Sequence, residues 1–106
     1  MDNIGIIKPT IDIIKHYFGK VPLAIATGSS RIGAEKVLNQ LELRHFFQAV
    51  STSDDVVRHK PAPDVFLHAA NQINVLPEHC VAFEDTDIGM KSIQTSGMFA
   101  VDVRDM

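Results

Sequence analysis

Apolar positions along this chain fall in short blocks whose spacing alternates between helical and extended periods. Beyond Pro9, residues Ile11, Ile14 and Phe18 recur at i, i+3 and i+7, the spacing of one helix face, and proline suits a first helical turn. Gly19-Lys20 closes that helix. From Val21 to Ala26 both faces would be apolar, which predicts a buried strand, and Pro22 is tolerated near its start. Ser29-Ser30 are good N-caps for a helix with the stripe Ala34, Val37, Leu38 and Leu41. A short strand is predicted over Gln48 to Thr52, then a polar loop from Ser53 to Ala62. Pro63-Asp64 opens a helix with Phe66, Ala69, Ala70 and Ile73 on one face. Val81 to Phe83 reads as a strand, and Thr86 to Ser96 as a helix with Met90 and Ile93 inward. Gly97 ends that helix, and Phe99, Ala100, Val101 and Val103 make a last short strand.

Helix and strand therefore alternate through all four pairs, with no repeat and no low-complexity linker. Such alternation builds a parallel sheet covered by helices, a Rossmann-like three-layer α/β fold. At 106 residues there is room for one domain of ordinary size.

Composition narrows the partners. With 45% hydrophobic and 22% charged residues, the chain has the balance of a globular protein, not of a disordered or membrane one. The longest apolar stretches are strand-length, too short to span a bilayer, so no membrane partner is expected. Asp2 and Asn3 begin a segment without the basic-then-apolar pattern of an export signal. A net charge of −3 with scattered basic residues argues against nucleic-acid binding. The lone Cys80 cannot form an internal disulfide and reads as a packing residue, which fits a reducing, cytoplasmic setting. The five histidines show no zinc-ligand spacing.

Three polar clusters carry the chemistry. The run Leu23 to Ala26 ends in Thr27-Gly28-Ser29, and Val81 to Phe83 ends in Glu84-Asp85. Between them lies the loop His59-Lys60-Pro61-Ala62-Pro63-Asp64. Each has an ordinary structural explanation. Thr-Gly-Ser after a strand is a common capping turn, although helix N-termini bind anions readily. A lysine in a proline-bounded loop is usually solvated, and an acid pair suits a helix start. Together they differ, because ligands of an open parallel sheet bind outside the carboxyl ends of its strands. A hydroxyl with backbone amides, a cation and a carboxylate pair can hold a phosphate and a divalent metal.

The set Ala26 to Ser30, His59 to Asp64 and Phe83 to Ser92 resembles the haloacid dehalogenase superfamily. Within it the chain looks closest to the sugar-phosphate phosphatases related to beta-phosphoglucomutase, and by its His-Lys-Pro-Ala-Pro-Asp loop to the fructose-1-phosphate phosphatase type. The resemblance implies a Mg2+-dependent phosphatase acting on a small phosphorylated metabolite. It implies that Thr27, with the backbone amides of Gly28 and Ser29, holds the phosphoryl group, and that Lys60 neutralises its oxygens. Asp85 would bind Mg2+, with Glu84 a direct or water-mediated ligand and Asp87 a supporting residue or helix cap.

The resemblance also exposes a gap. Family members attack phosphorus with the first aspartate of an N-terminal Asp-x-Asp-Gly-Thr motif, and the second serves as acid/base. No such motif precedes Thr27. Asp85-Thr86-Asp87 lacks the following Gly-Thr and sits where the family places its metal-binding acids, while Asp102 and Asp105 are one residue too far apart. The chain thus corresponds to the C-terminal portion of a family member, without nucleophile strand or cap. In the family that strand lies between the Val21 and Val81 strands. Without it, the two would pair directly or leave unpaired edges open to a complementing chain or to self-association. On this reading the isolated chain is inactive. The alternatives are a phosphomutase fragment and a non-catalytic phosphate-binding or interaction module. A nucleotide-binding fold is disfavoured because no Gly-x-Gly-x-x-Gly or Gly-x4-Gly-Lys-Ser/Thr loop is present.

Overall fold

The computed structural model describes residues 8–105. Helices and strands alternate in the order α1 (Lys8–Tyr17), β1 (Ala24–Ala26), α2 (Arg31–Gln40), β2 (Ala49–Ser51), α3 (Asp64–Gln72), β3 (Val81–Glu84), α4 (Asp87–Ser96) and β4 (Phe99–Asp102). Short 3-10 turns at Arg44–Phe46, Ser53–Asp55, Pro77–His79 and Val103–Asp105 join some of them. The fold is the α/β arrangement that the apolar spacing predicts.

The strands pair in two sets. β1 runs parallel to β2, with Ile25 opposite Val50. β3 runs parallel to β4, with Ala82 opposite Ala100. Among the described residues no ladder joins β1 to β3, so the sheet stands as two two-stranded halves.

Side-chain alternation along β1 explains the layers. Ile25 and Val50 face one way, onto Ile14 of α1 and Ala34 and Leu38 of α2. Ala26 faces the other way, onto Phe66 and Ala69 of α3 and Ile93 of α4. Ala82 and Ala100 join this second cluster from β3 and β4, so α3 and α4 bridge the two halves. The small alanines let the helices approach closely. On the opposite face of β3–β4, Val81 and Phe99 stay 56% and 68% exposed.

Several boundaries move for physical reasons. β1 starts at Ala24, not Val21. Pro22 has no N–H to give a ladder, and Leu23 is held partly by a side chain, its N–H donating to Gln48 Oε1 at 2.6 Å. Val37 and Leu41, placed in the α2 stripe, are exposed, and only Ala34 and Leu38 are buried on that helix. Val103 is buried but lies in a 3-10 turn beyond β4. Gly97 caps α4 with φ +88°, a left-handed conformation that side chains resist. The expectation that Asp2-Asn3 is not an export signal concerns a segment outside the described residues. No helix among the described residues is long and apolar enough to cross a membrane.

Candidate functional site

Thr27, 1% exposed, stands where β1 ends. Its N–H donates to the Ser51 carbonyl at 2.9 Å, which pins it to the end of β2. Its Oγ1 accepts from the Ser29 N–H at 3.1 Å, so the hydroxyl shapes the turn it begins. Ser30 then caps α2, accepting from the Gly33 N–H at 3.1 Å. The turn is clamped from the neighbouring loop as well. The Ser53 N–H and Oγ both donate to the Ser29 carbonyl, at 3.0 and 3.1 Å. The Arg31 N–H donates to Asp54 Oδ2 at 2.8 Å, and its guanidinium reaches the Val50 carbonyl and Asp55. Burial works to raise the Asp55 carboxyl, but hydrogen bonds from Thr52 and the nearby Arg31 hold it below the ordinary range.

Lys60 arrives on a loop tied down by α4. The Ser92 hydroxyl donates to the Ala62 carbonyl at 2.6 Å, and the Lys60–Pro61 peptide is cis. The lysine side chain is only 6% exposed. Its Nζ lies 4.9 Å from the centroid of the Phe66 ring and 3.7 Å from Glu84 Oε1. The loop after β2 and the end of β3 therefore meet in one buried pair, although Lys60 and Glu84 are far apart in the sequence.

Glu84 is fully buried. Its Oε2 accepts from the Thr86 hydroxyl at 2.6 Å and the Thr86 N–H at 3.2 Å. Burial alone would raise its carboxyl; neighbouring positive charge, the Thr86 hydroxyl and Lys60 outweigh that and hold it below the ordinary value. Gly89 makes room for it, because a Cβ at that position would collide with the Glu84 side chain. Next in sequence, Asp85 has a buried Oδ1 with no hydrogen-bond partner among the described residues. A buried carboxylate oxygen left without a donor is a natural cation ligand.

That orphaned oxygen is the test of fit for Mg2+. Hard carboxylate oxygens suit the ion, which keeps several of its own waters and needs few protein ligands. Among the described residues no group of three metal-binding side chains occurs, so Asp85 with Glu84 would supply one edge of the coordination shell. The residues present fit the metal on those terms.

Other expected positions fall differently. The cap of α4 is Thr86, whose Oγ1 accepts from the Gly89 N–H at 3.0 Å, and not Asp87. Asp87 is exposed and accepts from Arg104 at 2.8 Å. His59 is exposed, and Arg58 forks onto Asp64 at 3.1 and 2.8 Å. Cys80 is half-buried, and burial pushes its thiol up, away from reactivity.

Ser53, Ser92 and Gly89 are supporting residues that the motifs did not single out. A signal existed for two of them. Gly89, Ser92 and Ser96 recur at i, i+3 and i+7, small residues on the buried face of α4 where another backbone can come close.

A family profile for haloacid dehalogenase-like hydrolases matches residues 5–97. The chain is 48% identical over 96 residues to a fructose-1-phosphate phosphatase of Escherichia coli, covering 91% of this chain and 51% of that protein. It superposes on beta-phosphoglucomutase from Clostridium difficile with a TM-score of 0.76 and 28% identity, over 87% of this chain and 39% of that one. A hydrolase of the superfamily from Geobacter sulfurreducens shares the fold with a TM-score of 0.80 at 23% identity, over 87% and 47% of the two chains. The chain thus spans about half the length of the relatives it matches.

Proposed function

The chain belongs to the haloacid dehalogenase-like hydrolases, and from that premise we propose that it carries the phosphate- and metal-holding side of a Mg2+-dependent phosphatase for small sugar phosphates. The observation that carries this reading is the buried Lys60–Glu84 pair at 3.7 Å, with the undonated Asp85 oxygen beside it. A lysine and two carboxylates gathered at a strand's carboxyl end serve phosphoryl transfer better than packing, since burying such charge is costly without a purpose.

In this reading Thr27 and the amides of Gly28 and Ser29 bind the phosphoryl oxygens. Lys60 carries the positive charge that offsets charge gathering on those oxygens as the sugar oxygen departs. Glu84 positions Lys60, and Asp85 with Glu84 holds the metal. Mg2+, when bound, neutralises phosphate charge and orients the group for in-line displacement.

The attacking carboxylate is not assigned to any of these residues, and the 106 residues contain no Asp-x-Asp-Gly-Thr motif. The sugar-phosphate class rests on the 48% identity with the fructose-1-phosphate phosphatase.

The test is hydrolysis of fructose 1-phosphate with Mg2+ by the isolated chain. We expect no release of phosphate above a blank. Turnover that disappears in Asp85→Ala would sink the claim that the attacking group must come from elsewhere.

A further inference from the structure

Arg58 and Asp64 stand at the two ends of the loop that carries Lys60. The guanidinium forks onto the carboxylate, Nε donating to Oδ2 at 3.1 Å and Nη2 to Oδ1 at 2.8 Å. Inside the loop the Ala62 N–H donates to the His59 carbonyl at 3.0 Å, and Pro61 and Pro63 each fix φ. Ser92 ties the loop to α4 through the Ala62 carbonyl. That bond secures the half of the loop after Lys60, and the fork secures the half before it.

Exposure divides sharply across the loop. The Arg58 side chain is 71% exposed and that of Lys60 only 6%. An exposed ion pair adds little stability by itself, but a bidentate arginine–carboxylate pair fixes geometry. Here the geometry concerns α3. Its first turn supplies Asp64, which takes the fork, and then Phe66, whose ring lies 4.9 Å from Lys60 Nζ. The fork thus draws the chain just before Lys60 onto the same turn that faces its ammonium. A lysine stem is flexible, so the ammonium is placed only as well as the backbone beneath it.

We propose that Arg58 is a positioning residue for Lys60: its fork onto Asp64 closes the loop and holds the lysine against Phe66 and Glu84. What Lys60 does for a phosphoryl group rests on the phosphatase reading; where the lysine stands does not. The ordinary role of Asp64, an acid complementing the α3 dipole, needs no Arg58.

The probe is acetic anhydride at low excess, added to the full 106-residue chain without phosphate or metal. Peptide mass spectrometry reads the acetylation rate of Lys60 against that of Lys36, which is exposed on α2. In the parent chain Lys60 should react at least about tenfold more slowly than Lys36. Arg58→Ala leaves the helix-dipole role of Asp64 intact, and it should speed Lys60 at least about fivefold without moving the urea midpoint. Asp64→Asn, which keeps one acceptor oxygen, should speed it in the same direction. Arg44→Ala breaks a comparable pair with Glu35 away from the loop and should leave Lys60 slow. A Lys60 as slow in Arg58→Ala as in the parent would overturn the proposal, and so would an equal rise in Arg44→Ala. Neither result touches the phosphatase reading, which phosphate release tests separately.

Discussion

Glu84 does two things that no single motif announces: it holds Lys60 at 3.7 Å and it fills the space that Gly89 leaves open. Removing one partner of a buried pair strands the other, a cost of about 3–5 kcal/mol. Glu84→Gln keeps the shape and some hydrogen bonding, so its informative effect is on pH dependence. The folded carboxyl titrates below its ordinary value of 4.5, so its stabilising contribution is complete above that pH. It is lost as pH falls through the lower folded value. Urea denaturation of Glu84→Gln from pH 6 to pH 3 should therefore show a shallower loss of stability than the parent chain, although Asp55 and Asp102, also held low, leave some slope. Gly89→Ala places a Cβ into the Glu84 side chain and should cost about 1–3 kcal/mol by overpacking. A Gly89→Ala chain as stable as the parent would mean that Glu84 has somewhere else to go.

The elements themselves were largely legible. Among the described residues, apolar spacing located the four α-helices and the four strands, because period 3.6 and short unbroken apolar runs are strong signals in an alternating chain. Gly97 ended α4 where expected, since a left-handed residue there all but requires glycine. What escaped was local. The segment from Ser53 was read as loop, yet Thr52 and Asp55 form a capping box around a 3-10 turn, a threonine-to-acid spacing visible in the sequence. The Lys60–Glu84 contact was not legible, because spacing along a chain gives the edge at which groups converge but not which atoms touch. At this scale the core of α4 is the sharpest test. Ile93 is fully buried between the two halves, so Ile93→Ala should destabilise the chain by about 2–5 kcal/mol in chemical denaturation. A loss under about 1 kcal/mol would show that α4 does not bridge them.

At the scale of the whole molecule, the described residues form two parallel strand pairs joined through α3 and α4. Val81 and Phe99, 56% and 68% exposed side by side on β3 and β4, make association between copies the expected behaviour at high concentration. Phe99→Thr should weaken that association in sedimentation velocity while changing stability by no more than about 0.5 kcal/mol. Thr27 follows β1 and Glu84-Asp85 ends β3, so the site's parts come from different strand pairs of the described residues. The most direct test of that site is paramagnetic. Mn2+ prefers the same oxygen ligands as Mg2+ and broadens the NMR signals of nearby nuclei. Added at low ratio to the isotope-labelled chain, it should broaden the amides of Glu84, Asp85 and Thr86 first, and Asp85→Ala should abolish the effect. Broadening centred elsewhere, or unchanged by Asp85→Ala, would contradict the metal-holding role on which the account depends.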